Sequence, residues 1–367
     1  MIEEEQHQLV CGTCSRLGQA EHEIQTHRII GERLARLMGI PYEREPSGDA
    51  RKRYLVPSDT VIGLAEANRL GIAREGDLFG GVVAQPFLAT KAITHPLIEP
   101  AAAAPEGWSH AFGAATDKVV LDGFTAFSAS DARRAGIRLL REGAVRIKRT
   151  GGKGGSGQAR VSDAAALERA LAGIDPGEIA STGIVLEQDL SEVTTFSVGQ
   201  VQAAGLAISY CGTQQLTEDN RGETVYGGSV LDVVRGGWDA LLALPLSDRE
   251  RIAVAHARRY DEAARSCFPG FFATRRNYDV ALGTDSSGRR RCGVLEQSWR
   301  LGGATPAEIL AIEALKRDPA LAGIGASTAE IYGGADAVPP HAVVFFRGDD
   351  PEVGPITKIA WLEHGGT

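Results

Sequence analysis

The chain has 367 residues, 43% hydrophobic and 23% charged, a balance that excludes a wholly disordered chain, a coiled coil or a collagen-like fibre. Lys and Arg total 39 against 47 Asp and Glu, a formal charge of −8, so nucleic acid is not an expected partner. The length predicts a core divided among subdomains, and the 45 glycines exceed the usual share, which makes their clustering informative.

The opening residues, Met1 to Gln6, are acidic where a secretory leader would be basic and then apolar, and no segment offers the ~20 apolar residues that cross a bilayer. A cytoplasmic protein with no membrane partner is expected. Five cysteines scattered along the chain read as reduced thiols. Cys11 and Cys14 have the spacing of half a zinc site, but Cys211, Cys267 and Cys292 are isolated, so no second pair completes it.

Apolar residues recur at helical spacing from Thr26 to Met38, and Gly39 stops the pattern as a terminal glycine does. A second helix is predicted from Thr60 to Leu70, capped by Ser58 and Asp59 after Pro57. Asp77 to Ala84 reads as strand or turn, and the Ala- and Pro-rich run Glu99 to Gly107 as a linker. Beyond it come a helix from Asp131 to Glu142, a strand from Ala144 to Lys148, a helix capped by Ser162 through Leu171, and a strand from Gly183 to Glu187. Strands follow at Phe196–Val201 and Gly205–Gln214, then a helix at Arg249–Arg265. Two apolar strands, Phe271–Leu282 and Cys292–Gln297, close the reading. The order is mixed α+β, not a continuous βαβ series.

Between Gly151 and Gly157 five of seven residues are glycine, directly after a strand. Glycine lets successive N–H groups turn inward and lets phosphate oxygens approach without meeting a Cβ, though a surface hairpin would look the same. The spacing is not that of a Walker loop, because Lys153 is followed by Gly154. Lys148 ends the strand before the loop, and Lys118 lies about thirty residues upstream. Asp279 and Glu296 stand on the two late apolar strands, a pair suited to Mg²⁺, which prefers oxygen ligands and substrate phosphates.

In this order the residues resemble the ATP-grasp superfamily of carboxylate–amine ligases, and within it an uncharacterised bacterial family marked by the Leu78–Val83 and Leu295–Arg300 segments. The segment Glu296-Gln-Ser-Trp-Arg-Leu-Gly-Gly303 is close to that superfamily's Glu-x-Asn-x-Arg-Leu-Gly-Gly run, with Ser298 where Asn is usual. The resemblance implies an ATP-grasp fold with a preceding α/β domain over residues 1–112, a lid subdomain over 113–194 and a metal-binding subdomain over 195–367. It implies ATP and Mg²⁺ as cofactors, with small-molecule carboxylate and amine substrates; a homo-oligomer is left open.

By the same resemblance Lys118, Lys148, Gly151, Gly152, Gly154, Gly155, Ser156 and Gly157 hold phosphates. Glu187, Gln188, Asp189 and Leu190 form an adenine hinge, and Asp279, Glu296 and Ser298 hold the metal. Arg300, or Arg275 or Arg276, stabilises the developing oxyanion. No acid stands at the expected ribose position, where Thr194 and Thr195 fall, with Glu192 as a substitute. Lys91 and His95 are further candidates for meeting substrate. A small-molecule kinase on the same fold, and a non-catalytic nucleotide-binding protein, are the alternatives.

Overall fold

The computed structural model describes residues 7–13, 19–44, 52–151, 157–333 and 338–363. Strands β1 (Leu9–Thr13), β2 (Tyr42–Glu43) and β3 (Arg53–Pro57) form a parallel sheet in the order β2-β1-β3. Helix α1 (Glu21–Met38) packs on it through Ile30, Leu34 and Ala35 and ends where Gly39 takes φ +70°. A second small sheet joins β4 (Val61–Ile62), β5 (Gly81–Val83) and the later β13 (Phe272–Ala273), so a strand from the second half of the chain is stitched into the N-terminal layer.

The predicted helix from Thr60 to Leu70 is shorter than expected. Val61 and Ile62 pair with β5, and α2 (Leu64–Arg69) starts only after Gly63, whose φ of +91° suits glycine and breaks any earlier helical turn. Neither Ser58 nor Asp59 caps it.

After α3 (His110–Thr116) comes an antiparallel sheet of β6 (Gly123–Ala126), β7 (Val145–Arg149), β8 (Gln158–Val161) and β9 (Ile184–Gln188), in the order β6-β9-β7-β8. Helices α4 (Ala129–Leu139), α5 (Ala164–Ala172) and α6 (Pro176–Thr182) share one core with it, in which Ala132, Ala135 and Leu139 meet Leu167, Ile147 and Leu186. Ser128 caps α4, accepting from Asp131 N at 3.1 Å. The cap of α5 is Asp163 rather than Ser162, its Oδ1 accepting from Ala166 N at 2.8 Å.

The rest is an eight-stranded antiparallel sheet of β10 (Ser191–Ala203), β11 (Leu206–Glu218), β12 (Thr224–Arg235), β14 (Arg275–Thr284), β15 (Arg290–Ser298), β16 (Gly323–Tyr332), β17 (Val343–Asp350) and β18 (Gly354–Leu362). Its order is β15-β14-β10-β11-β12-β16-β18-β17. Helices α7 (Trp238–Leu242) and α8 (Asp248–Cys267) cover one face through a core that includes Tyr260, Phe196, Tyr278 and Val280. Helix α9 (Thr305–Arg317) covers the other through Ala307, Ile309 and Leu310, against Val201 and Leu231. Among the described residues no helix is long and apolar enough to cross a membrane.

Candidate functional site

Two clusters of charged side chains, one partly and one fully buried, are linked by a short segment of chain. The first is on the large sheet. Strand alternation puts Arg275, Asn277 and Asp279 on one face of β14, and antiparallel register sets Asp279 opposite Glu296 and Asn277 opposite Ser298 on β15. A bulge after Asp279 lets Glu296 and Val294 keep their registers with one residue to spare between them. Asp279 Oδ1 accepts from Gln214 Nε2 at 2.7 Å, and Glu296 Oε2 lies 2.8 Å from Lys91 Nζ. Removal from water, then the like charge of Glu296, hold the Asp279 carboxyl well above the usual carboxylate range, against the pull of Gln214, Lys91 and Arg275.

The second cluster sits at the open end of β9. Glu187 is 2% exposed, with Oε1 2.5 Å from Lys148 Nζ and Oε2 2.9 Å from His95 Nε2. Burial alone would raise this carboxyl, but the Lys148 ammonium and the His95 ring outweigh it and bring it down to about 2. Gly123, opposite Glu187 in the β6–β9 register, has no side chain because a Cβ would come within 2.7 Å of the His95 ring.

One segment ties the clusters together. Leu88 and Thr90 carbonyls accept from Gln297 Nε2 at 3.0 and 2.8 Å, and the Thr94 hydroxyl donates to Leu295 O at 3.2 Å, so residues 88–94 are pinned to β15 on both sides of Glu296. From that segment Lys91 reaches Glu296 and His95 reaches Glu187. The two are four positions apart in a 3₁₀ turn and bend, which at about 2 Å per residue is about 8 Å along the chain. Sequence reasoning named both residues without a partner for either, because each partner lies about 100–200 residues downstream.

The other candidates divide. Arg275, 1% exposed in its side chain, pairs with Glu308 at 2.8 Å and donates to Ser298 Oγ at 3.2 Å and Arg300 O at 2.5 Å. On the same face of β14 as Asp279, it is spent on Glu308 and on the chain end at Ser298 and Arg300. Arg276 is a correction: the alternation of β14 turns it to the α8 face, where it binds Gln200 Oε1 at 2.5 Å and Asp261 at 3.2 Å, away from the acidic pair. Arg300 remains the accessible arginine of the three, its side chain 26% exposed and its Nε 3.6 Å from Asp59.

Lys118 is exposed just after α3, where Val119 O accepts from Val294 N at 2.8 Å, and so lies beside the edge strand that carries Glu296. Gly151 and Gly157 bracket the tip of the β7–β8 hairpin; Gly157 takes φ +70°, and a Cβ on Gly151 would meet open space. Gly152, Gly154, Gly155 and Ser156, like Cys14, lie outside the described residues.

In the hinge, Asp189 is bound to Arg146 at 2.6 Å and Arg160 at 2.7 Å. The Gln188 side chain takes the face of Ile184 and Leu186, toward the helices, while Leu190 is buried. The Glu187 side chain is committed to Lys148 and His95, while its backbone lies in register with Gly123 and Arg146 within the sheet. Glu192 is exposed with φ +50°, at the register shift that opens β10.

Whether the acidic pair suits a metal follows from its donors. Asp279 and Glu296 offer carboxylate oxygens on one face, and the Ser298 hydroxyl keeps an acceptor lone pair beside its bond from Arg275. Among the described residues no group of three or more His, Cys, Asp or Glu side chains could hold a metal by itself. Two carboxylates without a third ligand fit Mg²⁺, which keeps several waters and takes phosphate oxygens to complete six-coordination. A cavity of about 720 Å³ lies elsewhere, between the N-terminal layer and the β10–β11 turn, lined in part by His7, Tyr54, Gln202, Thr274 and Lys316. Neither charged cluster contributes a residue to its lining.

A family model described as "Protein of unknown function (DUF3182)" matches residues 10–360. No curated protein matches. Among solved structures, the chain is similar to N5-carboxyaminoimidazole synthetase from Staphylococcus aureus complexed with ADP, with 10% identity, TM-score 0.55, and coverage of 98% of this chain and 94% of that one. It is similar also to the biotin carboxylase domain of Hydrogenobacter thermophilus 2-oxoglutarate carboxylase, at 11% identity, TM-score 0.56, and 97% and 86% coverage. Biotin carboxylase from Campylobacter jejuni follows at 10% identity, TM-score 0.50, and 98% and 88% coverage. The fold is the α+β ATP-grasp fold with its preceding α/β domain, as the sequence order implied.

Proposed function

The chain belongs to the family described as a protein of unknown function (DUF3182), and on that footing we propose an ATP- and Mg²⁺-dependent ligase that joins a carboxylate to an amine through an acyl phosphate. The observation that carries this reading is the pairing of Asp279 with Glu296 on one face of β14 and β15, with a buried lysine cluster a few residues of chain away.

In this reading Lys148 and Lys118 neutralise the nucleotide phosphates, and the hairpin from Gly151 to Gly157 closes over them. Asp279 and Glu296, with Ser298 beside them, would hold magnesium, which supplies charge neutralisation at the transferred phosphoryl group. Glu187 and His95 do not touch nucleotide; they fix the Lys148 ammonium in place. The Leu190 N–H, which has no backbone partner among the described residues, is the hinge donor offered to adenine. A substrate carboxylate oxygen attacks the terminal phosphorus, the bond to ADP breaks, and an amine displaces phosphate from the acyl carbon with loss of a proton. Arg300 stands at the end of β15 to stabilise the oxyanion of that second step.

The test is incubation with ATP, Mg²⁺ and panels of carboxylic acids and amines. Release of ADP and phosphate that requires both substrates, and a hydroxamate when hydroxylamine replaces the amine, is the expected result. A stable phosphorylated product with no amine requirement would mark a kinase, and AMP with pyrophosphate would rule out the acyl phosphate route.

A further inference from the structure

The Lys91 side chain is 6% exposed, whereas that of its partner Glu296 is 32% exposed. A buried ammonium requires an anionic partner, and holding a lysine in one rotamer costs on the order of 2 kcal/mol of side-chain entropy. The chain spends three side-chain hydrogen bonds, from Gln297 and Thr94, on pinning the backbone to either side of Lys91 against β15. The Thr90 hydroxyl also accepts from Ala92 N at 3.2 Å, closing the turn on which Lys91 sits. Such anchoring delivers one ammonium to a place where two carboxylates face each other, with Asp279 near enough to feel its charge.

The charge count makes the arrangement a provisional one. Two carboxylates and one ammonium leave a net charge of −1. A divalent cation between the carboxylates would bring the sum to +1 and make the ammonium surplus, unless an anion arrives with the metal. A nucleoside triphosphate is such an anion.

We propose that Lys91 is the resident cation of the Asp279–Glu296 pair, which releases Glu296 to the divalent metal and turns its ammonium to the terminal phosphate when metal and nucleotide bind together. This rests on the nucleotide-dependent reading given above and adds a residue to it. Lys91 thereby makes metal binding conditional on nucleotide: alone, the metal must displace an ammonium held in place by its own backbone.

The consequence has an unusual sign. Removing the positive charge should strengthen binding of a divalent ion in the absence of nucleotide and weaken binding of the nucleotide itself. Mn²⁺ serves as the probe, titrated without nucleotide and followed by the loss of its free-ion paramagnetic resonance signal, on the intact chain and on Lys91→Gln, Lys91→Met and Lys91→Arg. The two neutral variants are expected to bind Mn²⁺ about tenfold or more tighter, and Lys91→Arg to match the native chain. Glu296→Gln should abolish this binding in every background, which ties the signal to the site.

In a second arm, calorimetry with a non-hydrolysable ATP analogue and Mg²⁺ should show about tenfold weaker binding in Lys91→Gln. Unchanged or weaker Mn²⁺ binding by both neutral variants, with circular dichroism matching the native chain, would overturn the proposal. A native chain that binds no analogue would overturn the nucleotide reading and the transfer to phosphate, while the Mn²⁺ arm reports separately on Lys91 as resident cation.

Discussion

The two charged clusters are built from the same residue types and behave in opposite ways. Around Glu187 one carboxylate faces both an ammonium and an imidazole, burial is nearly complete, and the carboxyl titrates below its ordinary range. Around Asp279 two carboxylates share one lysine, and the deeper of them titrates above its range. The first cluster is electrostatically closed and its role is to hold; the second is short of positive charge and is poised to take it up. A site that must grip a nucleotide and its metal needs both, a fixed lysine on one side and an unsatisfied acid pair on the other.

That contrast can be broken by substitution, beginning where the effect is largest. Glu296→Gln removes charge that the bound metal and transferred phosphoryl group need, so ATP turnover should fall by about 10³-fold. The stability loss should be smaller than the loss of turnover, because Lys91 keeps the neighbouring Asp279 carboxyl when Glu296 is gone. Glu187→Gln should do the reverse and strike stability first, because Lys148 is left as a buried ammonium without its carboxylate, a loss of about 3 kcal/mol by urea denaturation.

The pH dependence of that loss has a definite sign. Folding lowers the Glu187 carboxyl from 4.5 to about 2, so its contribution is complete above pH 4.5 and disappears as the pH falls through about 2. Native chain and Glu187→Gln should therefore converge in acid, and parallel pH profiles would show that the cluster is not held by charge.

Asp279→Asn sharpens the other side. The Asp279 carboxyl is raised on folding, so its ionisation opposes the folded state as the pH rises through the folded value. The amide should stabilise the metal-free protein by about 1–2 kcal/mol at pH 8, a gain that shrinks toward acid, while turnover is lost. A smaller effect is expected from Gly123→Ala. The new methyl would press on the His95 ring at 2.7 Å and loosen its hold on Glu187, which should lower stability by about 1 kcal/mol and raise the KM for ATP without a matching change in kcat.

Much of this was legible in the order of residues, for reasons that differ by element. Gly39 announced the end of α1 because a left-handed C-terminal residue is a local requirement. The acidic pair was visible because a carboxylate in an apolar strand stands out against its neighbours, and the pairing followed once two such strands were separated by one turn. The ATP-grasp fold was likewise implied by the order of two lysines, a glycine run and that pair.

Arg275 and Arg276 were harder. Adjacent strand residues must face opposite ways, but nothing local says which face is which. The deciding partners, Glu308 on α9 and Asp261 on α8, come from elements remote in the chain. The side-chain partner of Glu187 was hidden because local pattern carries no trace of His95, which arrives from the N-terminal side of the linker. Val61 and Ile62 looked helical because their pairing with β5 is a tertiary event, whereas the Gly63 conformation that ends it leaves only a glycine in the sequence.

The central claim is that both clusters serve one nucleotide and its metal. Calorimetric titration of a non-hydrolysable ATP analogue, with and without Mg²⁺, into the native chain, Lys148→Met and Glu296→Gln tests it most directly. The account predicts one analogue bound per chain, with affinity falling about tenfold or more when Mg²⁺ is withheld and when either residue is replaced. Binding that survives in Glu296→Gln with its Mg²⁺ dependence intact, or that ignores Lys148, would place the nucleotide elsewhere and contradict it.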